Sequence, residues 1–218
     1  MNLVSIHLVL ALVILLFTGQ VVAVQDKPFT RSVVIFNTVC AKCHEAECSG
    51  RLSFNEAFEA ASSHIIRHYA EASGNKPLQK ELFTILNYMK GKCAYYPMSF
   101  SVPADRIWNS DMLEPMATPG NENYFISVGS FPQGAYQLEL TLAENAKVTV
   151  HLISDTFDMV VEDCYASSGK RIVVPFEIED AGQYYLRIYP RKPVQVLRLA
   201  IIKKDEQTSA AQEDKLRP

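Results

Sequence analysis

The chain of 218 residues predicts a segregated α+β fold: an all-α first part, then an antiparallel β-sandwich or jelly roll. Three observations predict it. Apolar residues recur at helical spacing between about positions 29 and 90, and from Tyr124 onward the period drops to 2. The alternating runs are separated by turn-forming clusters such as Pro132-Gln-Gly134, Ser167-Ser-Gly169 and Asp180-Ala-Gly182. The formal net charge of −3 provides no basic face for nucleic acid, so no nucleic-acid partner is expected. The length suits one large or two small domains.

The first charged side chain is Asp26, preceded by the largely apolar run Leu3 to Phe17. Val21 and Ala23 suit the small-residue positions before a cleavage site, so residues 1–23 predict a signal peptide and a mature chain beginning near Val24. No Lys or Arg precedes the apolar core, a departure from that pattern. The alternative is an uncleaved anchor, since Leu3–Val24 is just long enough to span a bilayer. Only in that case is a membrane a partner. Either way the body of the protein is exported, which in a bacterium means the periplasm.

Three helices come next. Phe29–Val39 carries Val33, Phe36 and Val39. The second begins at Ser53, with Glu56 completing a capping box, and its apolar stripe is Phe58, Ala61, Ile65 and Tyr69, ending at Gly74. The third begins at Pro77, buries Leu78, Leu82, Ile85, Leu86 and Met89, and stops at Gly91. This helical part occupies residues 27–115. Trp108, the one tryptophan, is expected to pack at the junction with the β part, with closure of a cofactor crevice as the alternative.

The first helix leads directly into Cys40-Ala-Lys-Cys43-His44. Two thiols at this spacing can each form a thioether to a haem vinyl group, and the adjacent imidazole can take the iron as proximal ligand. One covalent haem c is therefore the expected cofactor, bound by Cys40 and Cys43 and ligated by His44. A redox dithiol or half of a zinc site shares the pattern, but no second Cys-x-x-Cys or His-rich hairpin lies further on. Of the five cysteines, Cys48 and Cys93 flank this region. In an oxidising compartment they suit a disulfide; three unrelated thiols, counting Cys164, are the alternative.

A helix, Cys-x-x-Cys-His and further helices resemble the organisation of a class I single-haem cytochrome c domain. That resemblance implies a methionine as sixth iron ligand, and Met98, in Tyr95-Tyr96-Pro97-Met98, is the residue it points to. The pattern departs from the family because only the short stretch Pro103–Met112 comes after it. If Pro77–Lys90 is instead the terminal helix, His68 or His64 supplies the ligand. Met89 or an open site are further alternatives. His64 and His68, one turn apart, also read as surface histidines or as half of a zinc pair. Lys76, Lys80, Lys90 and Lys92 form either a docking face for an acidic redox partner protein or an ordinary solvated face.

From residue 121 to 203 about seven strands are expected: Tyr124–Val128, runs around Leu138–Leu142 and Val148–Leu152, Met159–Tyr165, Arg171–Ile178, a run around Tyr184–Ile188, and Val194–Ile202. The strings Val148-Thr-Val-His-Leu152 and Ala181-Gly-Gln-Tyr-Tyr-Leu-Arg-Ile-Tyr189 resemble bacterial pre-peptidase C-terminal domains. That likeness implies a non-catalytic binding or positioning module. His151 reads as structural, and Asp155, Asp158, Glu162 and Asp163 as solvated turn acids, with a calcium site as the alternative although their spacing matches no calcium loop. Residues 204–218 are charged and predict a disordered tail.

Together these readings predict a periplasmic electron carrier, not an enzyme, with a β-sandwich that docks it to a partner. The alternatives are a haem gas sensor with an open or displaceable sixth site and a small haem peroxidase with His68 as acid–base group.

Overall fold

The structure is a computed structural model that describes residues 27–45 and 58–204. The proposed signal peptide, the Ser53/Glu56 capping box, Cys48 and nearly all of the charged tail lie outside the described residues. No helix among the described residues is long and apolar enough to cross a membrane.

Two four-stranded antiparallel sheets dominate the molecule. Helix α1 (Lys27–Ile35), a π-helical turn (Phe36–Cys40) and α2 (Ala41–His44) run on without a break, followed after the undescribed stretch by α3 (Phe58–His68) and α4 (Lys76–Lys92). Strand β1 (Ile107–Asn109) and the short helix α5 (Ser110–Leu113) lead into β2 (Tyr124–Phe131), β3 (Gly134–Leu142), β4 (Lys147–Ser154), β5 (Met159–Ala166), β6 (Arg171–Ile178), β7 (Gly182–Pro190) and β8 (Val196–Lys203). One sheet has the order β1-β8-β3-β6 and the other β2-β7-β4-β5.

Alternation along the strands builds the interior between the sheets. Leu138 and Leu140 of β3, Val148, Val150 and Leu152 of β4, and Tyr184, Leu186 and Ile188 of β7 are all buried in one cluster. Trp108, Leu113 and Met116 belong to the same cluster, so β1 and α5 are part of the sandwich core. Tyr124 ties the β2 end down: its hydroxyl donates to the Val194 carbonyl and accepts from the Val196 amide, both at 3.1 Å.

The other face of the β2-β7-β4-β5 sheet is also covered. Phe125, Ile153 and Tyr185 point away from the sandwich interior and pack in a second core with Val33, Val34, Leu82, Ile85 and Met89 of the helices. Three layers result, helices on sheet on sheet. This corrects the expected fold class. The helices do not form an all-α cytochrome-like domain standing before a separate sandwich, because their apolar stripes are buried on the outward face of a sheet.

Local chemistry accounts for the helix ends. Asn75 caps α4 by accepting from the Leu78 amide at 3.1 Å, and Pro77 occupies its first turn. Helix α4 runs past Gly91, the expected stop, to Lys92. Cys93 then takes a left-handed conformation (φ 46°) while its amide donates to the Met89 carbonyl at 2.8 Å. In the π turn, Thr38 Oγ1 donates to the Val34 carbonyl at 2.8 Å and Asn37 Nδ2 to that of Val33 at 2.9 Å. Such a widened turn often marks a functional segment, and this one ends at Cys40.

Trp108 is fully buried and its Nε1 has no hydrogen-bond partner. Trp108→Ala is expected to destabilise the fold by about 3–5 kcal/mol, read as a lower urea midpoint in far-UV circular dichroism. Trp108→Phe, which removes the unpaired N–H and less volume, is expected to fall between wild type and Trp108→Ala.

Candidate functional site

Cys40, Cys43 and His44 are spaced i, i+3, i+4 and therefore share one face of the turn. That face lines a cavity of about 330 Å³ closed by α3 and α4. From the opposite wall come His64 and His68 of α3, one turn apart. Phe36, Val39, Ile65, Leu82, Phe83 and Leu86 complete an apolar lining. The His44 and His64 ring centroids lie 5.7 Å apart, edge to face, and those of His64 and His68 lie 4.5 Å apart. Three imidazoles and two thiols thus meet in one apolar cleft.

Burial lowers the His64 pKa, and the neighbouring His68, His44 and Arg67 lower it further. Neutral imidazole is the metal-binding form. Burial, with Cys43 adding to it, pushes the Cys40 thiol up to about 12. That keeps Cys40 as a thiol and disfavours the redox-dithiol reading, which needs an accessible thiolate.

Behind this turn lies a polar anchor that sequence reasoning missed. Arg187 on the outward face of β7 is only 2% exposed. Its Nη1 donates to Glu45 Oε2 at 2.9 Å and its Nη2 to Glu45 Oε1 at 2.6 Å. The Tyr95 hydroxyl donates to Glu45 Oε1 at 2.6 Å. Burial raises the Tyr95 pKa, opposed by Arg187 and reinforced by Glu45, so the phenol stays a donor. Burial alone would lower the Arg187 pKa; its hydrogen bonds to Glu45, with Tyr95 beside it, raise it instead. Lys42 Nζ lies 4.8 Å above the Tyr189 ring. The only sequence signal for this anchor is an acidic residue directly after Cys-x-x-Cys-His and an arginine at an outward strand position.

Met98 is not brought to the cleft. It is partly buried against the helix–sheet core, and the cavity wall opposite Cys40 carries His64 and His68 in its place. Met89 is plain core, 1% exposed. Cys93 is an exposed free thiol, as is Cys164, so the expected Cys48–Cys93 disulfide is corrected at its Cys93 end. Among the described residues no group of three or more His, Cys, Asp or Glu side chains is arranged to hold a metal ion. His151 pairs loosely with Glu162 at 3.9 Å and packs on Tyr189; Asp155 and Asp158 sit at a turn, where the Asp158 amide donates to Ser154 Oγ.

No family model matches the chain, and no curated protein matches it. Solved structures similar to it include the C-terminal family 6 carbohydrate-binding module of a laminarinase from Zobellia galactanivorans, at 15% identity, 37% of this chain, 72% of that chain and a TM-score of 0.30. Others are a family GH115 4-O-methyl-α-glucuronidase, at 11% identity, 67% of this chain, 25% of that chain and TM-score 0.34, and the family 29 carbohydrate-binding module CBM29-2, at 14%, 44%, 66% and 0.26. At these scores no function carries over.

Helices packed on the outward face of a sheet, with Met98 outside the cavity that holds His44, overturn the likeness to a class I cytochrome c domain joined to a pre-peptidase C-terminal module. The electron-carrier function that rested on that likeness falls with it, as do its sensor and peroxidase variants.

The lowered pKa of His64 and of His151, the latter also set mainly by burial, fixes the sign of a pH effect. Above the ordinary value of 6.5 both states hold these imidazoles neutral. As pH falls below it, the unfolded chain takes up protons that the folded chain resists, so stability declines. The urea midpoint is expected to drop on going from about pH 7 to about pH 5, and to drop less in His64→Gln. An equal drop in both proteins would remove His64 from this account.

Proposed function

We propose that the cleft is a prosthetic-group site, and that the group is one covalently attached haem c. The observation that carries this is the convergence, in one apolar cavity, of Cys40-x-x-Cys43-His44 and of His64 and His68 from a separate helix. The donor set fits the group. A bare metal ion would need three or four protein ligands in tetrahedral array, and the described residues offer no such group. A haem brings four of its own donors and asks the protein only for axial ligands and an apolar wall.

In this reading Cys40 and Cys43 hold the group through thioether bonds and His44 ligates the iron. His64, whose ring meets that of His44, would be a second imidazole available to hold the group, with His68 beside it. Once bound, the haem supplies a coordinated iron whose properties follow from its axial ligands and surroundings. The chain's own contribution is to bind and enclose. Phe36, Leu82 and Leu86 exclude water from the cleft, burial keeps Cys40 protonated before attachment, and the lowered pKa of His64 keeps its nitrogen available as a donor. On this proposal the protein is exported, as thioether attachment of haem outside the cytoplasm requires, and binds without catalysing a reaction.

The test is expression of the full chain in a bacterial host with the c-type haem attachment machinery. Wild type is expected to gain the mass of one haem and to retain haem staining after denaturation; Cys40→Ser with Cys43→Ser should lose both. His64→Ala is expected to change the optical spectrum from low to high spin, whereas Met98→Ala leaves it unchanged. A wild-type chain recovered at its apo mass would overturn the proposal.

A further inference from the structure

We infer that Arg187, a residue of the sandwich, is a positioning residue for the cleft, an inference that rests on the proposed haem site. On the turn from Cys40 to Glu45, Cys40, Cys43 and His44 face the cleft. Glu45 lies on the other side and faces β7, while Lys42, which also borders the cleft, reaches the same strand with its ammonium group. Both are engaged there, Lys42 over the Tyr189 ring and Glu45 in the two-pronged contact with Arg187. Successive helix residues are turned by about 100°, so a slip of one residue would swing His44 away from His64. A planar guanidinium that holds both carboxylate oxygens fixes direction as well as distance.

The strand that supplies Arg187 is itself held firmly. In the sheet register Arg187 lies opposite Phe125 of β2 on one side and His151 of β4 on the other. Its guanidinium carbon lies 5.8 Å from the Tyr95 and Phe125 ring centroids, and Tyr185, two residues before it, packs 4.3 Å from Tyr95. A rigid sheet therefore sets the rotation of the turn that carries the cysteines and the proximal histidine.

The test uses the full chain isolated in its haem-free thiol form. Native-state iodoacetamide labelling of Cys40 is followed by peptide mass spectrometry, with exposed Cys164 as internal reference. The contact between the His44 and His64 rings is followed by imidazole NMR. Arg187→Lys keeps the charge but loses the fork; Cys40 is expected to label about tenfold faster through increased local opening, and the His44–His64 cross-peak to disappear. Glu45→Gln should act in the same direction, and the double variant should label no faster than Arg187→Lys alone, since the two residues act as one unit. Arg187→Lys with wild-type labelling and an intact cross-peak would overturn the inference. If Arg187→Lys does not fold, Tyr95→Phe decides. It deletes one hydroxyl donated to Glu45 and is expected to speed labelling about threefold; an unchanged rate there sinks the idea. Both readouts are made without haem, so they stand or fall separately from haem attachment.

Discussion

The contact between Arg187 and Glu45 is the constraint on which the arrangement of layers depends. Taking a guanidinium and a carboxylate out of water is unfavourable unless each finds full partners. Here the carboxylate receives two guanidinium N–H groups and the Tyr95 hydroxyl, and three aromatic rings, Tyr95, Phe125 and Tyr185, seal the surroundings. Arg187 Nε remains buried without a partner, so the pair is not an optimised stabiliser. Its value is directional. Apolar packing alone would let the helix slide or rotate over the sheet, because such contacts are non-directional. An ion pair at Glu45 removes that freedom.

The constraint works because the β2-β7-β4-β5 sheet is buried on both faces. Inward residues such as Leu186 and Ile188 fill the sandwich, and their outward neighbours Tyr185, Arg187 and Tyr189 meet the helices. Antiparallel sheets commonly leave one face to water. Here the outward face carries Phe125, Ile153 and Tyr185, all packed with the helical core. The helices cannot complete their own core without that face: α3 has no fully buried residue, and the stripe of α4 is shared with the strands. The helical part and the sandwich are thus parts of one packing problem, and the cleft forms where α2, α3 and α4 converge above the sheet.

This explains what was legible in the sequence. Strand positions and the faces of α4 follow from periodicity alone, since Leu138, Leu140, Val148 and Val150, or Leu82, Ile85 and Met89, can be counted off. Cys40, Cys43 and His44 were legible as a motif because their spacing is local. The position of Met98 was not. Its proposed role depended on how a loop folds back, and that is set by Tyr95 inserting among Phe125, Phe157 and Tyr185, a contact between residues up to 90 positions apart. Arg187 was illegible for a similar reason. An arginine alternating with Leu186 and Ile188 has the pattern of a solvent-facing strand residue, and only the docking of a distant helix makes it buried. The joining of the two cores could not be read from either half of the chain, because each half is internally consistent as a separate unit.

The cleft itself sets opposing electrostatic demands. Burial, with His68, His44 and Arg67 nearby, lowers the His64 pKa, since a charge there would be both poorly solvated and repelled. Protonation of His64 would therefore loosen the wall formed by α3, whose contacts with α4 include the hydrogen bond from Ser62 to Gln79 at 2.8 Å. A ligand that takes up the His64 lone pair instead would favour the same neutral state that burial already favours. On the other side of the turn, Glu45 is committed to Arg187 and not to the imidazoles. The same anchor that orients His44 thus also holds its sequence neighbour Glu45 away from the imidazoles.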